Sequence, residues 1–202
     1  LEHLEKSSYP IVVKADGLAA GKGVTVAQTH SEAEKAIREC LEEKIFGEAG
    51  NKVVVEEFLK GEEASFIVLT DGLTILPLAS SQDHKTRDNQ DKGPNTGGMG
   101  AYSPAPIITP EIHQKIMDQV INPTIAGLVK EGMAYCGFLY AGLMIDQEQN
   151  VKVLEFNCRF GDPETQPILM RLRSDLVELC YQASKGKLKA IELEWDPRVA
   201  LG

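Results

Sequence analysis

The sequence predicts an α/β (α+β) fold built on antiparallel hairpins, in one domain or two small ones. Two observations carry this expectation. Ile11–Lys14 and Val24–Ala27 are short apolar runs on either side of a glycine-rich loop, so the order is strand, loop, strand. Phe138–Asp146 and Val151–Asn157 repeat that order around the turn 147–150. Helix signals lie between the two hairpins, and at 202 residues the chain can bury a proper core.

Composition excludes several classes of function. A hydrophobic share of 43% and a charged share of 25% are ordinary for a globular protein. The net charge of −9 argues against non-specific binding to nucleic acid or an anionic membrane, so an anionic ligand must be held by particular cations and backbone amides. Cys40, Cys136, Cys158 and Cys180 are too scattered for a zinc site or a disulfide framework, and they read as reduced thiols of a cytoplasmic protein. No apolar run approaches the roughly 18 residues of a membrane span, and no signal peptide is recognisable. Because the chain begins at Leu1, a piece of a longer polypeptide is expected.

Taken in order, residues 1–8 read as a helix end or linker, punctuated by Tyr9-Pro10. After the first strand comes Asp16-Gly-Leu-Ala-Ala-Gly-Lys-Gly23. A P-loop or dinucleotide fingerprint would require a helix directly after these glycines. Here a strand follows, so Gly17, Gly21 and Gly23 suggest a flap whose amides close over phosphates, with Lys22 at its tip and Lys14 beneath. A mobile glycine-rich turn is the plainer alternative. Ser31-Glu-Ala-Glu34 is a candidate capping box for a helix whose apolar face is Ala33, Ala36, Ile37, Cys40 and Leu41. Val53–Leu59 reads as a buried strand that turns polar, Gly61 as a turn, and Glu63–Thr70 as a strand paired with Leu73–Leu78. The exit through Glu56, Glu57, Phe58 and Leu59 can offer backbone groups to an adenine edge, with Glu63 accepting from ribose hydroxyls; from these residues alone an apolar strand with an acidic rim is the favoured reading.

Residues 80–103 are polar and glycine-rich, and read as a long binding loop or lid. Its cations, Lys85, Arg87 and Lys92 with His84 beside them, favour an anionic substrate in an otherwise acidic protein. His84 is a candidate general base, although a lone loop histidine is more often a surface group. Thr109-Pro110-Glu111 starts a long helix with Ile112, Ile116, Val120 and Leu128 on one face and an interruption at Asn122-Pro123.

Alternation along Val151–Asn157 puts Val151, Val153, Glu155 and Asn157 on one face. A carboxylate and an amide two residues apart on a pleat suit a hard cation such as Mg2+, and Arg159 follows close by. The same pattern also describes a strand that ends at solvent. Pro163 reads as the opening of a helix to about Leu172, Ser174-Asp175 as the cap of another ending at Gly186, and residues 192–202 as an edge containing Trp195.

Five long motifs occur in order: Lys14 to Val24, Glu56 to Ser65, Gln82 to Lys85, Gly93 to Tyr102, and Glu155 to Glu164. Together they resemble the phosphoribosylamine–glycine ligase family, the glycinamide ribonucleotide synthetases of purine biosynthesis. The resemblance implies an ATP-grasp fold of two subdomains with antiparallel and mixed sheets, residues 1–75 and 76–202, and ATP-driven joining of glycine to 5-phosphoribosylamine through glycyl phosphate. It implies ATP and Mg2+ (or Mn2+) as cofactors. It assigns Lys14 to the ATP phosphates, Gly21, Lys22 and Gly23 to the covering flap, Glu56, Glu57, Phe58 and Leu59 to adenine, and Glu63 to ribose. It gives Glu155 and Asn157 to the metal, and Arg159 with Lys14 to the transferring phosphoryl group. Asp83, Asp162 and Pro163 are expected near glycine's ammonium, and His84, Lys85, Asn95, Thr96, Gly97 and Gly98 toward phosphoribosylamine.

The chain departs from the family pattern where Thr86 follows His84-Lys85 and Arg87 comes one place later. The strand before Glu155 offers no carboxylate until Asp146, and the family's amino- and carboxy-terminal domains are expected to lie outside this chain. Two alternatives remain: an ATP-binding module without turnover, and an ATP-grasp ligase for another carboxylate.

Overall fold

The computed structural model describes residues 2–19, 23–89 and 92–202, which fall into two compact units, Leu1–Leu59 and Lys60–Gly202. The expected boundary near residue 75 moves to Leu59/Lys60, because the strand that follows pairs entirely within the second unit.

In the first unit, α1 (Glu2–Glu5) precedes β1 (Ile11–Ala15), β2 (Val24–Ala27), α2 (His30–Leu41) and β3 (Val53–Glu57). The antiparallel sheet has the order β2-β1-β3, and one face packs Ile11, Val13 and Ala27 against Leu4, Ala33 and Ala36. The helix starts two residues earlier than the candidate capping box suggests. Thr29 is the cap, its hydroxyl accepting from the Glu32 amide at 3.3 Å, and Glu32 reaches back to the Gln28 amide at 2.7 Å. Glu34 is thereby left to pair with Arg38 one turn on, at 2.8 Å. β3 is not the buried strand expected. It lies at the sheet edge with alternate residues exposed, and it ends at Glu57.

The second unit is built on β4 (Glu62–Thr70), a nine-residue strand that is buried from Ala64 onward. It pairs with β5 (Ile75–Pro77) and, after the intervening segment, with β10 (Gly137–Ile145), which pairs in turn with β11 (Val151–Asn157), in the order β11-β10-β4-β5. One face of this sheet, formed by Ala64, Phe66, Val68, Leu139, Ala141, Leu143 and Ile145, packs against Ile112, Ile116, Ile121 and Ile125. Those isoleucines come from α3 (Pro110–Ile116), a π-turn over Met117–Ile121, and α4 (Asn122–Lys130). The π-turn explains how the helix passes Asn122-Pro123: the Asn122 amide donates to the Met117 carbonyl, and Pro123 has no amide to place. The other face carries Ile67, Tyr140 and Leu69, covered by Leu78, Ile168, Leu179 and Leu188. Ile168 belongs to α5 (Thr165–Arg171), and Leu179 to α6 (Leu176–Ser184), which Asp175 caps as expected.

The segment read as a long loop is instead folded into short strands. β6 (Gln82–Asp83) pairs with β9 (Ala101–Ser103), which pairs with the terminal β12 (Ala200–Leu201). β7 (Thr86–Asp88) pairs with β8 (Lys92–Asn95). The C-terminal edge is held down by Arg171, which donates to the carbonyls of Asp196 and Arg198 and to the Ser103 hydroxyl. Pro163 does not open α5: that helix starts at Thr165, two residues beyond the cis Asp162–Pro163 peptide.

Candidate active site

In the first unit the sheet face turned away from α2 carries Val12 and Lys14 of β1 opposite Val24, Val26, Val54 and Glu56. Val24, Val26 and Val54 are exposed, and the Lys14 ammonium lies 2.6 Å from Glu56. An apolar face with one cation suits a nucleotide, whose base stacks on valines while its phosphates meet the lysine. Phe58, also exposed, and Leu59 follow the edge strand β3. That strand pairs with β1 on one side, so its other edge can offer amides and carbonyls. Gly23 packs so closely that a Cβ there would lie 2.7 Å from that of Ala19 and 2.9 Å from that of Ala15. Gly21 and Lys22 lie outside the described residues.

In the second unit a β-bulge decides which side chains meet. Leu143 stands opposite Val153, but Gly142 stands opposite Glu155, so Leu154 is an extra residue in β11. The expected common face for Val151, Val153, Glu155 and Asn157 is therefore wrong at its midpoint. Val151 packs on the isoleucine core, whereas Glu155 and Asn157, opposite Gly142 and Tyr140, share the other face with Glu63 and Ser65. Without the bulge, strict alternation would turn both polar side chains into the apolar core.

Lys85 enters this face. Its ammonium lies 3.1 Å from Glu63 and 4.0 Å from Glu155, and these carboxylates raise its pKa against the opposing effect of burial. Lys85 is held by the segment after β8: its carbonyl accepts from the Thr96 amide at 2.6 Å and from the Thr96 hydroxyl at 2.9 Å. The Thr96 hydroxyl in turn accepts from the Gly98 amide at 3.1 Å, and the His84 carbonyl accepts from Met99 at 2.8 Å. His84, Lys85, Thr96, Gly98 and Met99 thus form one hydrogen-bonded corner, beside Asp83 on β6. Asn95 joins it through the backbone, in register with Thr86, and Gly97 lies at its exposed rim. The exposed His84 ring lies 5.6 Å from that of Tyr102. Arg87 is engaged with its neighbour Asp88 at 2.9 Å.

Beyond β11, the exposed Arg159 donates to the Phe160 carbonyl at 2.8 Å, and Asp162 is exposed. The buried carboxylate of this segment is Glu164, which the sequence reading placed in no site. It is 1% exposed, and one oxygen accepts from the Ser65 hydroxyl at 2.6 Å. Tyr140 lies 3.1 Å from the same hydroxyl, and burial followed by the Glu164 charge pushes the Tyr140 pKa far up. The only sequence signal for Glu164 is its place at the end of the last motif.

Glu155 and Asn157 fit a hard divalent cation: both are oxygen donors on one face at the rim of the sheet, the kind of partial set such an ion completes with water and phosphate oxygens. Asp146 is not offered as a further ligand, because both its oxygens accept from Asn150, at 2.8 and 2.9 Å.

Comparison with known proteins agrees with this arrangement. Residues 1–165 match the family model for the phosphoribosylglycinamide synthetase ATP-grasp (A) domain. The chain is 62% identical over 202 residues to the phosphoribosylamine–glycine ligase of Vibrio vulnificus strain YJ016, covering 100% of this chain and 47% of the relative. It therefore spans about half the length of the curated relatives it matches. The crystal structure of phosphoribosylamine–glycine ligase from Thermotoga maritima superposes with a TM-score of 0.86 at 34% identity, over 99% of this chain and 50% of that one. The biotin carboxylase domain of Hydrogenobacter thermophilus 2-oxoglutarate carboxylase, solved with magnesium ADP, superposes with a TM-score of 0.68 at 18% identity, over 99% of this chain and 42% of that one, and shares the fold. With its antiparallel hairpins and its match along the first four-fifths of the sequence, the chain belongs to the phosphoribosylglycinamide synthetase ATP-grasp (A) domain family.

Proposed function

We propose that this chain is the ATP-binding and glycine-activating part of a phosphoribosylamine–glycine ligase. In the proposed reaction ATP phosphorylates the glycine carboxylate, and the amine of 5-phosphoribosylamine displaces phosphate to give glycinamide ribonucleotide. The observation that carries the reading is the convergence of Glu63, Lys85, Glu155 and Asn157 on one face, which only the Leu154 bulge allows. In the first unit, Lys14 meets the ATP phosphates and the Glu56–Leu59 edge meets adenine, a role supported by the exposed valine face and the unpaired edge of β3.

Glu155 and Asn157 would hold Mg2+ or Mn2+, which when bound neutralises phosphate charge. The magnesium ADP in a carboxylase of the same fold supports this choice. Arg159, a permanent cation two residues from Asn157, orients the phosphoryl and acyl oxygens. Lys85 and the corner formed by Thr96 and Gly98 orient phosphoribosylamine. An amine attacking an acyl phosphate needs orientation more than a base, so His84 contributes position. Four free thiols support a cytoplasmic setting.

The test is ADP release dependent on glycine and phosphoribosylamine, in this chain and in the full-length protein, each with and without Glu155→Ala. The full-length protein is expected to be active, and Glu155→Ala to remove that activity. This chain alone is expected to bind Mg-ATP weakly and to turn over poorly. Glycine-independent ADP release by the full-length protein would refute the ligase reading and leave a nucleotide-binding module or a ligase for another carboxylate.

A further inference from the structure

On the polar face of the second unit, Gly142 of β10 stands between two side chains that the site uses. Ser65 of β4 is in register with it on one side and Glu155 of β11 on the other. Tyr140 lies two residues back along β10, on the same face. The φ of Gly142 lies outside the left-handed region, so its conformation is open to any residue. Its neighbours show what the missing side chain is for, since a glycine inside a strand marks a close approach. A Cβ there would lie 3.1 Å from Glu155 Cγ, 3.3 Å from Tyr140 Cε1 and 3.7 Å from the Tyr140 hydroxyl.

Of these two neighbours, one is fixed and one is free to give way. Tyr140 is 5% exposed and packs with Ile67, Leu78 and Ile168. Its hydroxyl lies 3.1 Å from that of Ser65, which donates to Glu164 at 2.6 Å. Shifting the ring would break a chain of hydrogen bonds that no water can replace. The Glu155 side chain is 48% exposed, and the Lys85 ammonium, at 4.0 Å, is too far to hold it by a hydrogen bond. A methyl group at position 142 would therefore displace Glu155 and leave Tyr140 in place.

We propose that Gly142 is a positioning residue for the metal-binding carboxylate. By lacking a side chain it lets the stem of Glu155 lie across β10 beside the fixed ring of Tyr140, and this contact sets where the carboxylate meets the cation. The proposal rests on the reading of Glu155 as a ligand of Mg2+ or Mn2+, which it deepens by naming the residue that sets the ligand's pose. The placement matters because Mg2+ demands near-ideal octahedral geometry, so a displaced carboxylate is a poorer ligand.

The experiment is Mn2+ binding to the full-length protein with a non-hydrolysable ATP analogue present, followed by electron paramagnetic resonance. The wild type, Gly142→Ala, Glu155→Ala and the double variant are compared, and the urea midpoint of each is measured. Gly142→Ala is expected to weaken Mn2+ binding about 10-fold, as changes around metal ligands do. Its urea midpoint is expected at or above that of the wild type, because alanine restricts the unfolded chain. In the Glu155→Ala background the same change is expected to alter Mn2+ binding by less than about 2-fold, because the side chain it displaces is gone.

Unchanged Mn2+ affinity in Gly142→Ala, with affinity lost in Glu155→Ala, would overturn the proposal and leave the ligand reading standing. Equal losses from Gly142→Ala in the two backgrounds would also overturn it, since a merely structural role acts without Glu155. So would a urea midpoint well below that of the wild type, which would mean that Tyr140 yields instead of Glu155. If Glu155→Ala binds Mn2+ as the wild type does, the ligand reading and this proposal fall together, and ADP release decides the ligase reading separately.

Discussion

Asp83 is a side chain that folding makes worse off, and the cost is measurable. Water is removed from it, Glu164 and Glu63 repel its charge, and Lys85 and His84 recover only part of the loss, so its pKa rises from 3.8 to about 6. A raised carboxylate pKa means that the folded state holds a proton the unfolded chain has released. Its stabilising effect is complete below about pH 3.8 and is lost as pH rises through about 6. A shift of about two units corresponds to on the order of 3 kcal/mol at pH 7.5. Asp83→Asn is therefore expected to raise stability by about 1–3 kcal/mol at pH 7.5 and by almost nothing at pH 4, read from urea unfolding at the two pH values. A variant that is less stable at pH 7.5 would show that the carboxylate is satisfied within the fold.

At the scale of elements, two local irregularities do what regular periodicity cannot. The bulge at Leu154 lets β11 begin on the isoleucine core with Val151 and end on the polar face with Glu155 and Asn157. The π-turn at Met117–Ile121 lets one helical run pass Pro123 and still bury Ile112, Ile116, Ile121 and Ile125 together. Helix α2 shows a smaller displacement, with its cap at Thr29 instead of Ser31. Thr29→Ala is expected to cost about 1 kcal/mol, because the Glu32 amide loses its acceptor, whereas Ser31→Ala should stay within about 0.5 kcal/mol. Chemical unfolding followed on the first unit distinguishes the two; a larger loss at Ser31 would restore Ser31-Glu-Ala-Glu34 as the functioning capping box.

At the scale of the whole molecule, the parts legible in the sequence are those set by local chemistry. The two hairpins, the Thr109-Pro110 and Asp175 helix starts, and the five motifs all depend on residues close together in the chain. What could not be read depends on distance or on a one-residue shift. A bulge leaves no mark in the alternation of Val151–Asn157, and the burial of Glu164 comes from Ser65, 99 residues earlier. Between residues 82 and 103, β6 finds β9 some twenty residues on, and β9 finds β12 near residue 200, pairings that no local pattern announces. The same accounting separates the two units in stability. The first packs mainly alanine and valine against Leu4 and Ile11, whereas the second buries Phe66, Leu139, Leu143, Ile145 and four isoleucines of the α3–α4 run in one cluster. Each large aliphatic side chain fully buried contributes roughly 1.5–3 kcal/mol, so the second core is the stronger by several such side chains. With separate cores and unequal burial, the units need not unfold together. Hydrogen exchange followed by mass spectrometry is expected to show amides of β1 and α2 exchanging well before those of β4 and β10, in the absence of nucleotide. Equal protection in all four elements would mean that the chain unfolds as one cooperative body and that the two cores share their stability.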